Sequence, residues 1–375
     1  MDSHSTVSVA MQSVNKFTIN FFQEVAQKSN ENLATSPLSA HVALTMTSFG
    51  ASGNTASQIN NVLALETDDD LLKSSYKNFL EGLKNFKDVD LSLANKIYTK
   101  NGFFIKSDFK DTTENIFMST TENIEFAKAD AAAKKINQWA AAHTQNRINE
   151  IVKPDEFSPL TTLVLLNAVY FKGNWATQFN PDNTTSLQFK LNSQDTKNIP
   201  TMYKNDNIKF GILPELKASF VELPYKDNKF SMLIILPDEI EGLAEVENKL
   251  TNADLDYLAT NGVVQKVELY LPKFTIESTL DLVKPLKKLG MTDMFDNSLA
   301  DFSKMTDECL YVSNVVQKAF IQVNEEGCEA AAITAVRIVK RSLPPPPITF
   351  KVDRPFIFMI NYLNIPIFTG HVKQF

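Results

Sequence analysis

Residues 323–347 of this chain read VNEEGCEAAAITAVRIVKRSLPPPP. The segment begins as a strand and ends in four consecutive prolines, Pro344–Pro347. A strand cannot continue through prolines, because each lacks an amide donor, and consecutive prolines favour an extended polyproline conformation. We therefore predict that a long, exposed piece of backbone connects two strands here.

The middle of this segment is compatible with two conformations. Glu and Ala are strong helix formers, so propensity alone favours a helix over Glu325–Ala335. The side-chain alternation favours a strand, since every even position from 328 to 338 is small or apolar. The charges Glu329 and Arg337 fall on odd positions, so one face of such a strand could be buried in a sheet. A segment with both capabilities is a candidate conformational switch.

A dibasic site, Lys340-Arg341-Ser342, follows this alternating stretch. Exposed, extended loops with such sites are preferred points of proteolysis. The simpler interpretation is that Lys340 and Arg341 solvate a surface loop, and taken alone the site does not discriminate between the two.

The rest of the chain predicts a single α+β domain over residues 1–375, with helices early and strands late. A nearly continuous apolar run, Leu160–Lys172, predicts a strand covered on both faces. The predicted helices are Ser13–Lys28, one after Pro37, Asp69–Phe86, Ala129–Ile151 and Leu280–Leu289. The other predicted strands are Leu91–Tyr98, a hairpin over Phe220–Pro237, Val263–Ile276, Phe350–Asn361 and Ile365–Val372.

Composition excludes several classes of function. A formal charge of −7 and a pI near 5.3 argue against general nucleic-acid binding. No apolar run is long enough for a transmembrane helix, so we expect no membrane span. The four histidines show neither metal-ligand spacing nor a nucleophile motif, so we expect neither an enzyme nor a metal site.

The cellular location is less constrained by the sequence. The two cysteines, Cys309 and Cys328, do not form a disulfide framework, although they could pair. The sequon Asn183-Thr184-Thr185 marks Asn183 for glycosylation in a secretory route. We expect secretion with the signal peptide removed from this sequence, and a cytoplasmic location is the alternative.

Several motifs together resemble those of the serpin family across nearly the whole chain. The hinge Glu325-Glu326-Gly327-Cys328-Glu329-Ala330-Ala331-Ala332 is similar to the inhibitory hinge of serpins. The other matching blocks are Asn32–Ser39, Asn167–Trp175, Leu271–Phe274, Asp301–Ser303, Arg354–Phe358 and Phe368–Gly370. The resemblance implies a serpin fold, with helices around a large central sheet plus smaller sheets and an exposed reactive centre loop over residues 325–347.

The resemblance also implies a function: irreversible suicide inhibition of a serine protease. Counting from Gly327 places the scissile bond at Arg341-Ser342, with Lys340 as the fallback bait residue. A basic bait residue selects a trypsin-like protease, and the expected setting is an extracellular protease cascade. The alternative is a non-inhibitory serpin that acts as a carrier or chaperone. In either case we expect a monomer.

Five residues are implied to control the opening of the central sheet: Ser36, Ser39, Asn167, Trp175 and Gln317. Two positions depart from the family pattern. Cys328 stands where the hinge usually has Thr or Ser, and Gln317 stands where the family usually has His. A buried Cys should still permit insertion, whereas Gln317 can donate and accept hydrogen bonds but alters the control of opening.

A lysine stripe suggests a polyanion site. On a helix running from Asp69 to Phe86, the lysines Lys73, Lys77, Lys84 and Lys87 would lie within about 80° of one another. The segment resembles the serpin helix that binds heparin in some members, so heparin or another glycosaminoglycan is expected as an accelerator, with no cofactor required. A solvated lysine face is the simpler interpretation.

Overall fold

The computed structural model describes residues 3–27, 29–326 and 346–375. Within them, the helices are α1 Ser3–Ala26, α2 Pro37–Ser48, α3 Gly53–Leu63, α4 Asp69–Gly82, α5 Ser107–Asn115, α6 Ala129–His143, α7 Leu243–Lys249, α8 Asn252–Thr260 and α9 Val283–Leu289. The strands are β1 Leu33–Thr35, β2 Val89–Lys100, β3 Thr121–Ile124, β4 Leu163–Gly173, β5 Thr185–Lys190, β6 Thr196–Leu213, β7 Ala218–Pro224, β8 Phe230–Pro237, β9 Val263–Pro272, β10 Phe274–Asp281, β11 Val312–Val323, β12 Ile348–Lys351, β13 Phe356–Tyr362 and β14 Ile365–Val372.

These strands form two sheets. A five-stranded sheet has the order β10-β11-β4-β2-β3, and we call it the central sheet. A nine-stranded sheet has the order β1-β14-β13-β8-β7-β6-β9-β12, with β5 paired to β6. The long strand β6 connects its two halves, because one part pairs with β7 and another with β5. The predicted α+β architecture is confirmed.

Strand β4 lies at the middle of the central sheet, buried on both faces as predicted. Val164, Leu166 and Ala168 belong to a core that includes Ile136 of α6. The alternate residues Leu163, Leu165 and Val169 belong to the larger core shared with α1, α2 and the nine-stranded sheet. Burial on both faces accounts for the absence of polar alternation along this run.

Several predicted boundaries were wrong for local reasons. The helix predicted over Ser13–Lys28 begins at Ser3, in a stretch whose polar residues hid it. The helix predicted over Ala129–Ile151 ends at His143, because Gln145 and Asn146 adopt positive φ angles of 52° and 59°. The Asn137 side chain then accepts hydrogen bonds from the Ile151 and Val152 amides and holds the turn.

Three other predicted elements divide where the chain changes sheet or structure. The strand Val263–Ile276 breaks at Lys273 into β9 and β10, which belong to different sheets. The strand Phe350–Asn361 divides into β12 and β13. The first two residues of the helix predicted over Leu280–Leu289 belong to β10.

Candidate functional site: the parallel seam and the hinge

Strands β4 and β11 are parallel neighbours at the centre of the sheet. Their register runs from Leu163 opposite Val312 to Phe171 opposite Ile321, and we call this contact the seam. The segment that follows β11 begins after Val323, beside the end of β4. If it reversed direction there, it would run antiparallel to both strands. The seam is therefore where the topology favours an added strand, since antiparallel pairing is the more stable arrangement.

A polar cluster lies beneath the seam, buried except for the half-exposed Asn95; we call it the seam cluster, comprising Thr35, Ser36, Ser39, Asn95, Asn167 and Gln317. Gln317 on β11 accepts hydrogen bonds at Oε1 from the Thr35 hydroxyl at 2.5 Å and the Ser36 amide at 2.8 Å. Its Nε2 donates to the Ser36 carbonyl at 2.9 Å and lies 3.4 Å from Asn167 Oδ1 on β4. One side chain thus connects both strands of the seam to the start of α2.

The remaining members complete the cluster. The Asn95 Oδ1 atom on β2 accepts from the Ser39 hydroxyl and from Asn167 Nδ2, each at 2.9 Å. The Ser36 hydroxyl accepts from the Ser39 amide as the N-cap of α2 and donates to the Ile367 carbonyl at 2.6 Å. Buried polar groups are costly unless paired, so these bonds hold the closed sheet together and would need new partners if it opened.

Four predicted control residues, Ser36, Ser39, Asn167 and Gln317, meet in this cluster, whereas sequence reasoning missed Thr35 and Asn95. A signal for Asn95 was present, since an amide inside the alternating run Leu91–Tyr98 is unfavourable in a strand unless its side chain is paired. Thr35 had no such signal, because Thr is common in strands.

The hinge end of β11 is held by a second set of contacts. Glu325 is buried and accepts from the Thr184 hydroxyl at 2.7 Å, and it forms an ion pair of 2.8 Å with Lys273. Burial alone would raise the pKa of Glu325, but the hydrogen bonds from Lys273 and Thr184 outweigh it and lower the pKa. Glu326 is exposed and lies 3.6 Å from Lys172, a much weaker contact.

Trp175 belongs to this hinge end and lies apart from the seam cluster. Its indole Nε1 donates to the Asn324 carbonyl at 2.9 Å, and its ring stacks on Tyr225 with centroids 4.5 Å apart. Lys204 lies over the Phe179 ring at 4.4 Å, and desolvation lowers its pKa to about 8. The hydrogen bond from Trp175 to Asn324 holds the start of the hinge in place, at the end of the seam where a new strand would enter.

Comparison with known proteins identifies this arrangement. A sequence profile described as "Serpin (serine protease inhibitor)" matches residues 12–374. The chain belongs to the serpin family. Alaserpin of Manduca sexta is 35% identical over 370 residues, which are 98% of this chain and 94% of that protein. The family assignment supports protease inhibition as the general function.

Solved serpin structures agree with the fold throughout. The crystal structure of Serpin48, "a highly specific serpin in the insect Tenebrio molitor", has a TM-score of 0.88 and 35% identity, covering 98% of both chains. Native protease nexin-1 with heparin has a TM-score of 0.88 and 31% identity, covering 98% of this serpin and 100% of that chain.

Several predicted site residues lie outside the described residues of this serpin. They are Gly327, Cys328, Glu329, Ala330, Ala331, Ala332, Lys340, Arg341 and Ser342. The predicted switch between helix and strand falls on the same part of the chain. These assignments stay predictions.

The predicted lysine stripe needs correction. Helix α4 ends at Gly82, so Lys73 and Lys77 lie on it while Lys84 and Lys87 follow its C-terminal end. Lys73 is half-buried, with its Nζ 5.3 Å from the centroid of the Phe49 ring. The four lysines therefore do not share one helical face. The prediction assumed that the apolar periodicity through Phe86 kept the chain helical, whereas Asn85 adopts a positive φ of 62°.

The remaining candidates have simple surroundings. Asn183 is exposed at the end of a short 3-10 helix, Pro181–Asn183. Cys309 is exposed and free. Among the described residues, no His, Cys, Asp and Glu cluster could hold a metal ion, and no helix has the length and apolar character to span a membrane.

Proposed function

We propose that this serpin irreversibly inhibits a trypsin-like serine protease that cleaves at Arg341-Ser342, with Lys340 as the fallback bait residue. The observation that carries the proposal is the parallel seam, which ends beside the hinge and is closed by hydrogen bonds that a new strand could replace. A bait residue with a positive charge fits a specificity pocket with a buried carboxylate.

The chemistry follows from the protease's own mechanism. Its serine hydroxyl attacks the carbonyl carbon of Arg341, the bond to the Ser342 nitrogen breaks, and that nitrogen leaves protonated. The inhibitor then remains attached as an acyl-enzyme through Arg341. Once severed, residues 328–338 can enter the seam as a strand antiparallel to β4 and β11, and serpin loop insertion is an established case of strand addition.

The energy of insertion is sufficient to act on an attached protease. About ten new main-chain hydrogen bonds at ~1 kcal/mol each amount to roughly 10 kcal/mol. That free energy corresponds to a factor on the order of 10⁷ in an equilibrium constant, enough to distort the bound enzyme before it deacylates.

A mixing experiment with trypsin tests this proposal. An inhibitor gives a complex that survives denaturing detergent, and mass spectrometry of the released C-terminal fragment should show that it begins at Ser342. A non-inhibitory carrier or chaperone would give cleavage without a stable complex.

A hinge variant supplies the internal control. Ala332→Arg places a charge on the face that must be buried, and burying an unpaired charge costs several kcal/mol. We expect this variant to be cleaved as a substrate, while Ala331→Arg, on the opposite face of the same strand, retains complex formation. Equal complex formation by both variants would contradict the insertion step.

We also propose an extracellular protease cascade as the setting and a glycosaminoglycan as an accelerator. A solved relative, native protease nexin-1, was crystallised with heparin. In this serpin, Lys77, Lys84 and Lys87 are exposed and lie in or just after α4. The inhibition rate with and without heparin at low salt, for the wild type and a Lys77→Ala, Lys84→Ala, Lys87→Ala variant, tests this proposal. An unchanged rate in the wild type would exclude acceleration.

A further inference from the structure

Strand β2 is covered along one part of its outer edge and open along the other. On one side it pairs with β4 from Val89 to Thr99, whereas β3 pairs with it from Ile97 to Lys100. The burial of β2 changes next to the first residue of β3. Residues 96–99 of β2 are buried, whereas residues 91–95, which β3 does not cover, are half-exposed. We call residues 91–94 the open edge, because the Asn95 carbonyl is bonded by Ser119.

The orientation of the backbone along the open edge follows from one hydrogen bond. The Asn95 carbonyl accepts from the Ser119 hydroxyl at 2.7 Å, and Ser119 lies on the side away from β4. In an antiparallel pair, alternate residues direct both main-chain polar groups to the same side. Leu91 and Leu93 therefore direct their N–H and C=O groups outward, and no described residue bonds to those groups from that side.

A cavity of about 400 Å³ borders this edge. Its apolar wall comes from Leu80, Leu83, Phe117 and Trp139. Its charged and titratable lining residues are Lys84, Lys96 and His143, and no carboxylate from the described part of the chain lines it. Lys96 is engaged by Glu122 at 3.1 Å, whereas Lys84 is exposed at the rim.

We propose that the open edge binds an extended peptide segment by strand addition, with apolar side chains at alternate positions and an acidic residue near Lys84. Unpaired edge groups are a template for a further strand, and flanking pockets select alternate side chains. The four residues 91–94 span about 14 Å, so a peptide of seven residues covers the edge with one or two residues beyond it at each end.

The site is connected to the seam cluster through one residue. Asn95 directly follows the open edge; its carbonyl is bonded by Ser119, and its side chain accepts from Ser39 and Asn167. A peptide bound along β2 holds Asn95 in the closed arrangement. If the proposed function is correct, the bound peptide therefore slows loop insertion and shifts the reaction with protease from complex formation towards cleavage.

The test uses a fluorescein-labelled peptide, Glu-Leu-Thr-Leu-Thr-Leu-Glu, titrated with the intact protein by fluorescence anisotropy. We expect micromolar binding that weakens at least tenfold when the peptide's leucine amides are N-methylated, because each lost main-chain bond contributes ~1 kcal/mol. In the protein, Leu93→Pro removes one outward amide and should weaken binding about fivefold. Leu93→Ala keeps the amide and should weaken it less than threefold.

The alternative outcomes overturn the proposal. No detectable binding would do so, as would equal binding of the N-methylated peptide, which indicates an apolar cavity without strand addition. Binding that survives Leu93→Pro and strongly raises the unfolding temperature would indicate insertion at the seam instead. No protease is present, so failure of the proposed inhibitory function leaves the binding result interpretable.

Discussion

The seam between β4 and β11 and the contact between β8 and β13 are both buried, but different forces hold them. At β8 and β13 every pair except Asn361 opposite Ser231 is apolar, as with Phe358 opposite Ile234 and Ile357 opposite Ile235, and these four residues are fully buried. At the seam, Gln317 lies opposite Asn167; Gln317 bonds to Thr35 and Ser36 at the start of α2, and Asn167 bonds to Asn95 of β2. Hydrogen bonds can exchange partners with an incoming strand, whereas opening an apolar interface exposes area at about 25 cal/mol per Å². We infer that the contact between β4 and β11, which contains the buried polar pair, is the one that can open, whereas the contact between β8 and β13 stays closed.

The largest expected effect is in the apolar sheet. A Cβ atom at Gly370 would lie 2.0 Å from the Leu33 carbonyl and 2.5 Å from Phe358 Cζ. Gly370→Ala should therefore lower the free energy of unfolding by about 3 kcal/mol or more, measured by urea denaturation. Gly82→Ala is the matched control, since its Cβ would approach no closer than 3.7 Å to Tyr362. If Gly370→Ala lowers the free energy of unfolding by less than about 1 kcal/mol, the interpretation that this sheet is too tightly packed to open is contradicted.

At the seam, Gln317→Leu keeps the approximate side-chain size but removes the hydrogen bonds. It leaves the Thr35 hydroxyl and the Ser36 amide without a partner, while the Ser36 carbonyl keeps its bond from the Ala40 amide, so we expect a loss of about 2–4 kcal/mol in unfolding free energy. Gln322→Leu on the same strand is the control, because Gln322 is half-exposed. Equal effects of the two substitutions would remove the special role of the seam cluster.

Helix α2 packs on β2 and β4 of the central sheet and on β14 of the other sheet, and its buried His41 makes the closed fold sensitive to acid. Burial lowers the pKa of His41 to about 4, and its Nε2 lies 3.0 Å from the Leu63 carbonyl. The unfolded chain binds this proton below about pH 6.5 and the folded chain only below about 4, so stability falls as the pH drops between these values, by about 3 kcal/mol in total. Unfolding free energies measured from pH 7 to 4 should show a smaller loss in His41→Gln. Parallel pH profiles would exclude His41 as the cause.

The smallest expected effect is at the hinge. Glu325→Gln loses the ion pair with Lys273, and we expect a loss of about 1 kcal/mol in the unfolding free energy. Since the pKa of Glu325 is lowered in the folded state, its contribution is present at neutral pH and disappears as the pH falls through that lowered pKa. The control is Glu326→Gln, at an exposed pair, which should change stability by less than about 0.3 kcal/mol. A larger effect at Glu326 would reverse our assignment of the hinge contacts.

Sequence reasoning predicted the fold class, the covered strand β4 and most of the seam cluster, because apolar runs and family motifs carry those signals. It failed where one side chain or backbone angle decides the outcome. The end of α4 at Gly82 is one such case, since Lys84 and Lys87 continue the helical pattern although the chain does not. The grouping of Trp175 with the seam residues is another, because the motif Asn167–Trp175 begins in the middle of β4 and ends beyond Gly173, so its two ends make different contacts.

The central claim is that the severed loop becomes a buried strand in the seam, and the unfolding temperature tests it most directly. Limited cleavage after Arg341 by immobilised trypsin, followed by calorimetry of the nicked and intact proteins, compares the two states. Roughly 10 kcal/mol of added pairing should raise the unfolding temperature by about 13 °C. A nicked protein that unfolds at the same temperature as the intact one would contradict the account.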